Sequence, residues 1–298
     1  MIAMLIVTST ILELTSFADG VSFHQGDQIK LIRQEPLLFL NQLFRTGRDG
    51  ELLTVIAHLP GERNIFVQAK DKDGKDIALS VAVDAVSSVA AGKVLYTLDF
   101  AGKQMLKAGD WLKDNNFKLQ KDFTDSRYIT YSFDQSSMVI ESKREAFGFA
   151  VQEIPLTQAK KIRITWGVNK YPVGASWENG VNREGLMVYI FYGKETVDSG
   201  AFFLPNSPYY VGLYFSNTDP KDKVYIGKSY KTCARYVCVG NPKPGETVVT
   251  EYDIDNAFRN LFQKDKTPPV SAISLEVDTA GTSDGLSKSF VSRIELLE

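Results

Sequence analysis

Trp166, Tyr171 and Trp177 are the residues whose types and spacing most directly suggest binding chemistry. Gly167, Pro172, Gly174, Asn179 and Gly180 interrupt the segment and place much of it in a loop. An aromatic ring on such a loop offers its π face to the apolar face of a sugar, while nearby amides bond the hydroxyls. The competing reading has Trp166 and Trp177 closing the ends of a core. Carboxylates form the second candidate group. Glu178, Asp253, Asp255, Asp278 and Asp284 could supply the acid and base of glycoside hydrolysis, which needs two carboxyls about 5–10 Å apart across a sugar. Asp278 and Asp284 also bracket a loop whose carbonyls would add hard oxygen ligands, so calcium is the candidate metal there. Asp71 to Asp76 (DKDGKD) has similar chemistry. It lacks the spacing and terminal glutamate of an EF-hand, and Asp73-Gly74 reads first as a hairpin turn.

Other chemistries find little support. Gly281-Thr282-Ser283-Asp284-Gly285 matches the Gly-x-Ser-x-Gly elbow, which also requires a helix behind the serine and a downstream histidine. The chain has 2 histidines, His24 and His58, both far upstream. The segment is therefore expected to be a glycine-rich hairpin loop between the last two strands. No His-Glu-x-x-His, P-loop or Rossmann glycine pattern is present. The net charge of −2, from 34 basic and 36 acidic residues, lacks the basic footprint of a nucleic-acid binder. A composition 44% hydrophobic and 23% charged excludes both a disordered chain and a polytopic membrane protein. Cys233 and Cys238 are either a local disulfide or two buried thiols. An odd separation places them on opposite faces of a strand, so a bridge needs a turn or bulge between them.

Met1 to Leu12 is almost wholly apolar or small, and Ser16-Phe17-Ala18 offers small residues before Asp19. That layout predicts a signal peptide over residues 1–18 and a periplasmic or secreted protein. A stable membrane span is not expected, because a span needs about 20 apolar residues.

Most of the remaining chain reads as short strands punctuated by Gly, Pro and Asn. Lys161–Trp166 and Ser271–Val277 alternate polar and apolar residues, as a strand with one wet face does. Leu186–Tyr192 (LMVYIFY) and Tyr209–Phe215 (YYVGLYF) are apolar on both faces, as central strands are. Further strands are expected near residues 128–133, 138–142, 148–152, 223–226, 232–239 and 247–252, with a last one over Ser289–Leu297. Ile254, Phe258, Leu261 and Phe262 share one helical face, with Thr250 and Asp253 as a candidate capping box. In the N-terminal third, Leu52–Leu59, Asn64–Lys70, Ile77–Val83 and Val94–Phe100 predict a smaller β unit. The polar, weakly helical stretch from Ala101 to Asn116 marks its end. The expected domains are thus 19–108, a small β domain, and 109–298, a β-sandwich.

The last 150 or so residues resemble a bacterial family known as domain of unknown function 3047. The similar features are KIRITWGVNKYPVGASW, the strand pair LMVYIFYG and PYYVGLYFSNT, the segment TEYDIDNAFRNLF, and the closing VSAISLEVDTAGTSDG. The chain departs from the family where Glu276 to Gly281 stand in place of a loop richer in Asp and Asn. The resemblance implies a jelly-roll-like sandwich in an exported protein of unestablished activity.

These readings predict an all-β protein: a jelly-roll-like antiparallel β-sandwich with one short helix, preceded by a smaller β domain. The functional expectation is an exported, non-catalytic sandwich with a glycan as candidate partner. The alternatives are a carboxylate-dependent glycan-active enzyme and a structural or assembly protein of the cell envelope. The last would show a broad apolar patch and no concave site.

Overall fold

The computed structural model describes residues 23, 27–58, 62–88 and 93–298. The expected signal segment, its cleavage site and His24 lie outside the described residues. The chain divides between Val89 and Ala90 into two compact units.

The first unit carries β1 (Gln28–Leu31), β2 (Glu35–Phe39), β3 (Gln42–Gly47), β4 (Leu52–Ala57), β5 (Asn64–Lys70), β6 (Asp76–Ala82) and β7 (Val86–Ser88). They form a sheet in the order β3-β2-β6-β5-β4-β1-β7, antiparallel throughout. Alternate positions, among them Ile29, Leu31, Leu53, Val55, Ile65 and Val67, turn into one apolar core. The β5–β6 hairpin is the one expected from Asp73-Gly74. Asp71 Oδ1 accepts the amides of Asp73 and Lys75, and Gly74 takes φ +78°. The sequence does not announce β2 and β3, because Phe39, Leu40, Leu43 and Phe44 are exposed there and blur the alternation.

The second unit is a β-sandwich. Its strands are β8 (Val94–Asp99), β9 (Phe117–Lys121), β10 (Ile129–Phe133), β11 (Met138–Lys143), β12 (Phe147–Thr157), β13 (Lys161–Lys170), β14 (Glu184–Val197), β15 (Ser207–Phe215), β16 (Val224–Tyr225), β17 (Ala234–Gly240), β18 (Val248–Asp253), β19 (Val270–Asp278) and β20 (Leu286–Leu297). One sheet runs β10-β11-β20-β13-β18, and β8 pairs with the C-terminal half of β20. The other runs β16-β17-β15-β14-β19-β12-β9. Every pairing is antiparallel except β15–β17, which is parallel. Ile164, Trp166, Ile294 and Leu296 from the first sheet meet Val188, Ile190, Leu213 and Leu275 from the second in a continuous core.

Two expectations are corrected here. Val94–Phe100 was assigned to the small domain, yet β8 pairs with β20, from Asp99↔Arg293 to Val94↔Leu297. Alternation identifies a strand but not its partner, so the boundary lies at residue 89 and not 108. Within residues 101–116, α1 (Ala108–Asp114) buries Ala108 and Leu112, and Trp111 packs edge-on against Phe100 and Phe133. The stretch is part of the sandwich, not a boundary. Secondly, β19 and β20 are not a hairpin, because they belong to opposite sheets. The glycine-rich loop between them crosses from one sheet to the other, and a strand, not a helix, follows Ser283. Gly285 is required there: a Cβ would lie 2.1 Å from the Glu145 amide nitrogen.

The predicted helix is α2 (Ile254–Phe262), with Ile254, Phe258 and Phe262 buried. Asp253 is its N-cap, accepting the Asn256 amide at 2.8 Å. Thr250 takes no part in the cap and instead accepts the Trp166 indole N–H at 2.9 Å.

Candidate ligand-binding site

In β14, β15, β17 and β19, every second side chain turns away from the sandwich core. Those side chains form a second aromatic cluster containing Tyr189, Tyr210, Tyr214 and Tyr236. Strand register aligns them in rows across the sheet. One row reads Val151, Ser274, Tyr189, Gly212, Tyr236. The next reads Phe149, Glu276, Met187, Tyr214, Cys238. A third holds Phe147, Asp278 and Glu184. Gly212 makes the first row possible, because a Cβ would fall 2.3 Å from Met187 Sδ and 2.6 Å from Tyr189 Cε1.

Over this face lies a cavity of about 840 Å³, with walls that include Trp177 to the side and Leu204, Pro205 and Gly227 to Tyr230 above. That volume is in the range of sites for sugars and other small molecules. The Trp177 ring sits 4.3 Å from Tyr236, and Tyr210 meets Tyr189 edge-on at 5.1 Å. The turn that carries Trp177 is tied to buried Asp219. That carboxylate accepts the Ser176 hydroxyl (2.8 Å), the Trp177 amide (3.1 Å), the Glu178 amide (3.2 Å) and the Tyr214 phenol (3.0 Å).

The polar part of the cavity is acidic. Glu184 is 2% exposed and accepts the Trp177 indole N–H at 3.0 Å. Glu276 accepts the Tyr189 phenol at 2.5 Å. Each of the two glutamates is among the groups that shift the other. Burial pushes Glu276 up to about 8 and Glu184 well above the ordinary glutamate value. A carboxyl pair in direct contact cannot hold two negative charges in a low-dielectric site, so it keeps a proton at neutral pH. Asp278 is raised by burial to about 6, against the opposing pull of Arg183, whose Nε lies 3.1 Å away. Ser274 Oγ, in the same cavity, is buried and makes no hydrogen bond within the protein.

Of the three aromatic residues singled out from sequence, only Trp177 lines the cavity. Trp166 is fully buried in the sandwich core, 4.2 Å from the Phe215 ring. Tyr171 is half-buried and donates to the Pro242 carbonyl at 2.7 Å. The carboxylate candidates scatter. Glu178 pairs with Lys223 at the surface, Asp253 caps α2, Asp255 pairs with Arg259, and Asp284 pairs with Lys170 at 2.9 Å. Asp278 alone reaches the cavity, so the proposed acid pairing among Glu178, Asp253 and Asp278 does not exist. Asp278 and Asp284 each face their own cation, and among the described residues no group of three His, Cys, Asp or Glu is placed to hold a metal ion. Cys233 and Cys238 are free, buried thiols. β17 keeps unbroken register with β15 from Ala234 to Cys238, so the turn a bridge would need between the two cysteines is missing, and burial raises both thiols above the ordinary value. His58 Nδ1 accepts the Phe23 amide at 3.3 Å and is no part of the second unit's cavity.

No family model matches the chain, and no curated protein matches it in sequence. Among solved structures, a mutant family 29 carbohydrate-binding module complexed with cellulohexaose aligns at TM-score 0.32 and 9% identity, covering 68% of this chain and 92% of that one. A structure described as the basis for promiscuous specificity of carbohydrate-binding modules from the β-sandwich superfamily aligns at TM-score 0.30 and 10% identity, covering 92% and 93%.

The site residues not anticipated are Glu184, Glu276, Ser274, Asp219 and the tyrosine set. Their signal was present in LMVYIFY and YYVGLYF, where phenols recur among residues that would otherwise be aliphatic on both faces. Glu276 was visible too, as the single acid inside an alternating Ser/Ile/Leu/Val strand.

Proposed function

We propose that the tyrosine-rich face of the second unit binds a carbohydrate, without catalysis, in a protein exported from the cell. The observation that carries this reading is the composition of one cavity. Aromatic rings from Trp177, Tyr189, Tyr210 and Tyr236 stand beside convergent polar groups, the Ser274 hydroxyl and the Glu184–Glu276 pair. Rings of this kind stack on the apolar faces of sugars, and the hydroxyl and carboxyls bond sugar hydroxyls. The assembly alternative expected no concave site, and a cavity is present. No helix among the described residues is long and apolar enough to cross a membrane.

Isothermal titration of the full chain against soluble oligo- and polysaccharides tests the reading. We expect heat with at least one class of glycan, lost in Tyr236→Ala. Absence of heat with every glycan overturns it. Cell fractionation tests export, with recovery in the cytoplasmic fraction as the contrary result.

A further inference from the structure

The cavity is unusual in its charge. Glu184 and Asp278 are cross-strand partners, and Glu276 lies two positions before Asp278 on the same face of β19. Three carboxyls thus line one cavity together with aromatic rings. Among the described residues, the cation paired with this group is Arg183, which is engaged with Asp278 and with the Ala280 carbonyl at 2.5 Å. Glu184 and Glu276 receive only neutral donors, an indole N–H and a phenol. Buried carboxyls without a matching cation are costly to hold, and they persist where they serve a ligand or a switch. A second, independent feature points to a ligand at this spot. Ser274 Oγ, 1% exposed, lines the same cavity one row along from Glu276 and has no partner in the protein.

We propose that the carbohydrate bound here carries a free amine: an amino sugar whose ammonium group sits on the Glu184 and Glu276 carboxyls, in the cavity that Trp177, Tyr189 and Tyr236 also line. This rests on the carbohydrate reading above and narrows it to one substrate class. An ammonium supplies the missing positive charge, taking the place of the proton the two glutamates share. Ser274 Oγ then accepts from the ammonium or bonds a neighbouring ring hydroxyl. A neutral sugar gains none of the charge term, and an acidic sugar meets like charge.

Binding of an ammonium to the pair displaces the shared proton, so affinity has a defined pH dependence. The groups facing the pair are Asp278 on β19, Tyr189 on β14, Tyr210 on β15, Tyr236 on β17 and Arg183 before β14. Lys121 and Lys228 also line the cavity. The tyrosines stay neutral, since burial raises each of them. The carboxyls and the ligand's own ammonium therefore set the profile. Affinity for the amine rises from pH 5 to pH 6.5, where the free ligand is still an ammonium and binding releases the carboxyl proton, and levels off once the free amine is neutral. A neutral sugar that accepts a hydrogen bond from the protonated pair would show the opposite slope.

The test is calorimetric titration of the full chain with three oligosaccharides of equal length and linkage: glucosamine units, N-acetylglucosamine units and glucose units. We expect the glucosamine oligomer to bind about tenfold tighter or better, and its affinity to strengthen from pH 5 to pH 6.5. The isosteric Glu184→Gln/Glu276→Gln variant is expected to lose that preference while keeping any binding of the glucose oligomer, with thermal unfolding confirming that it is folded. The pH profile of the unaltered protein needs no variant. Equal affinity for all three oligomers overturns this inference and leaves the carbohydrate reading standing. A preference that survives the double substitution overturns the assignment to these carboxyls. No binding to any glycan overturns both readings.

Discussion

The Tyr189 hydroxyl donates a 2.5 Å hydrogen bond to Glu276 Oε1 from the neighbouring strand of the tyrosine-rich face. Burial holds the phenol far above its ordinary pKa, so it remains a donor at every working pH. One oxygen of Glu276 is thereby committed to Tyr189, and Glu184 is among the groups that act on the carboxyl's titration. Each prediction below follows from how this face is built.

Stability should fall as pH rises across neutrality. Glu276 has its folded pKa raised from 4.5 to about 8, and Glu184 is raised as well. Between those values the folded state holds a proton that the unfolded chain has released, so unfolding becomes more favourable with increasing pH. Asp278, raised from 3.8 to about 6, acts in the same direction over a lower window. Thermal unfolding at pH 5 and pH 8 should give a lower Tm at pH 8, by about 2–4 °C for each kcal/mol in a unit of this size. Glu276→Gln should flatten the trend, and a pH-independent Tm in the unaltered protein would contradict the shared proton.

Asp219→Ala should cost about 2–4 kcal/mol, because it leaves the Ser176, Trp177, Glu178 and Tyr214 donors without their acceptor in a buried place. Trp177 should lose its fixed position at the same time. Urea titration reads the first effect, and a red-shifted tryptophan emission reads the second.

Gly212→Ala should destabilise the second unit by about 1–3 kcal/mol, since the new methyl would meet Met187 Sδ at 2.3 Å and Tyr189 at 2.6 Å. The tyrosine row should shift with it, weakening any ligand held there. A variant as stable as the parent would show that the row is loosely packed.

The two tryptophans should separate cleanly. Trp177→Ala is expected to weaken glycan binding by about tenfold or more, as for loss of a stacking platform. Trp166→Phe is expected to leave affinity unchanged and to lower stability by about 1 kcal/mol or more, through loss of its bond to Thr250 and of core volume. Calorimetry and denaturant unfolding of the two variants decide the matter, and an affinity loss in Trp166→Phe would contradict its place in the core.

Phe258→Ala should cost about 3–5 kcal/mol, because the ring is buried between α2 and the tyrosines Tyr192 and Tyr209. Asp253→Ala should cost about 0.5–2 kcal/mol through the lost cap. Two-state chemical unfolding measures both, and a smaller loss for Phe258 than for Asp253 would refute the packing described for α2.

Much of the fold was legible before any coordinates. Lys161–Trp166 alternates because β13 buries one face, and Ile254, Phe258 and Phe262 recur at helical spacing because α2 covers the sandwich with one stripe. Strand partners were not legible. β8 lies nearly the whole second unit away in sequence from β20, and the loop after β19 crosses sheets where a hairpin looked natural. Such pairings depend on which faces and edges meet late in folding, and local composition carries no record of them.

The candidate site divides in the same way. Residue order alone determined the all-β class, most strand positions, the helix, the near absence of imidazole and the place of Trp177 in a glycine-punctuated loop. It could not tell a core-facing side from a ligand-facing one in LMVYIFY and YYVGLYF, because both sides of those strands are buried and both are apolar in composition. Tertiary structure decided that one side is the sandwich interior and the other a bed of phenols. It also decided that Glu184 and Glu276, distant along the chain, stand close enough to share a proton. The physical reason is that alternation encodes only which residues share a face, whereas the proximity of two carboxyls is set by strand order and register, which arise when the sheets assemble.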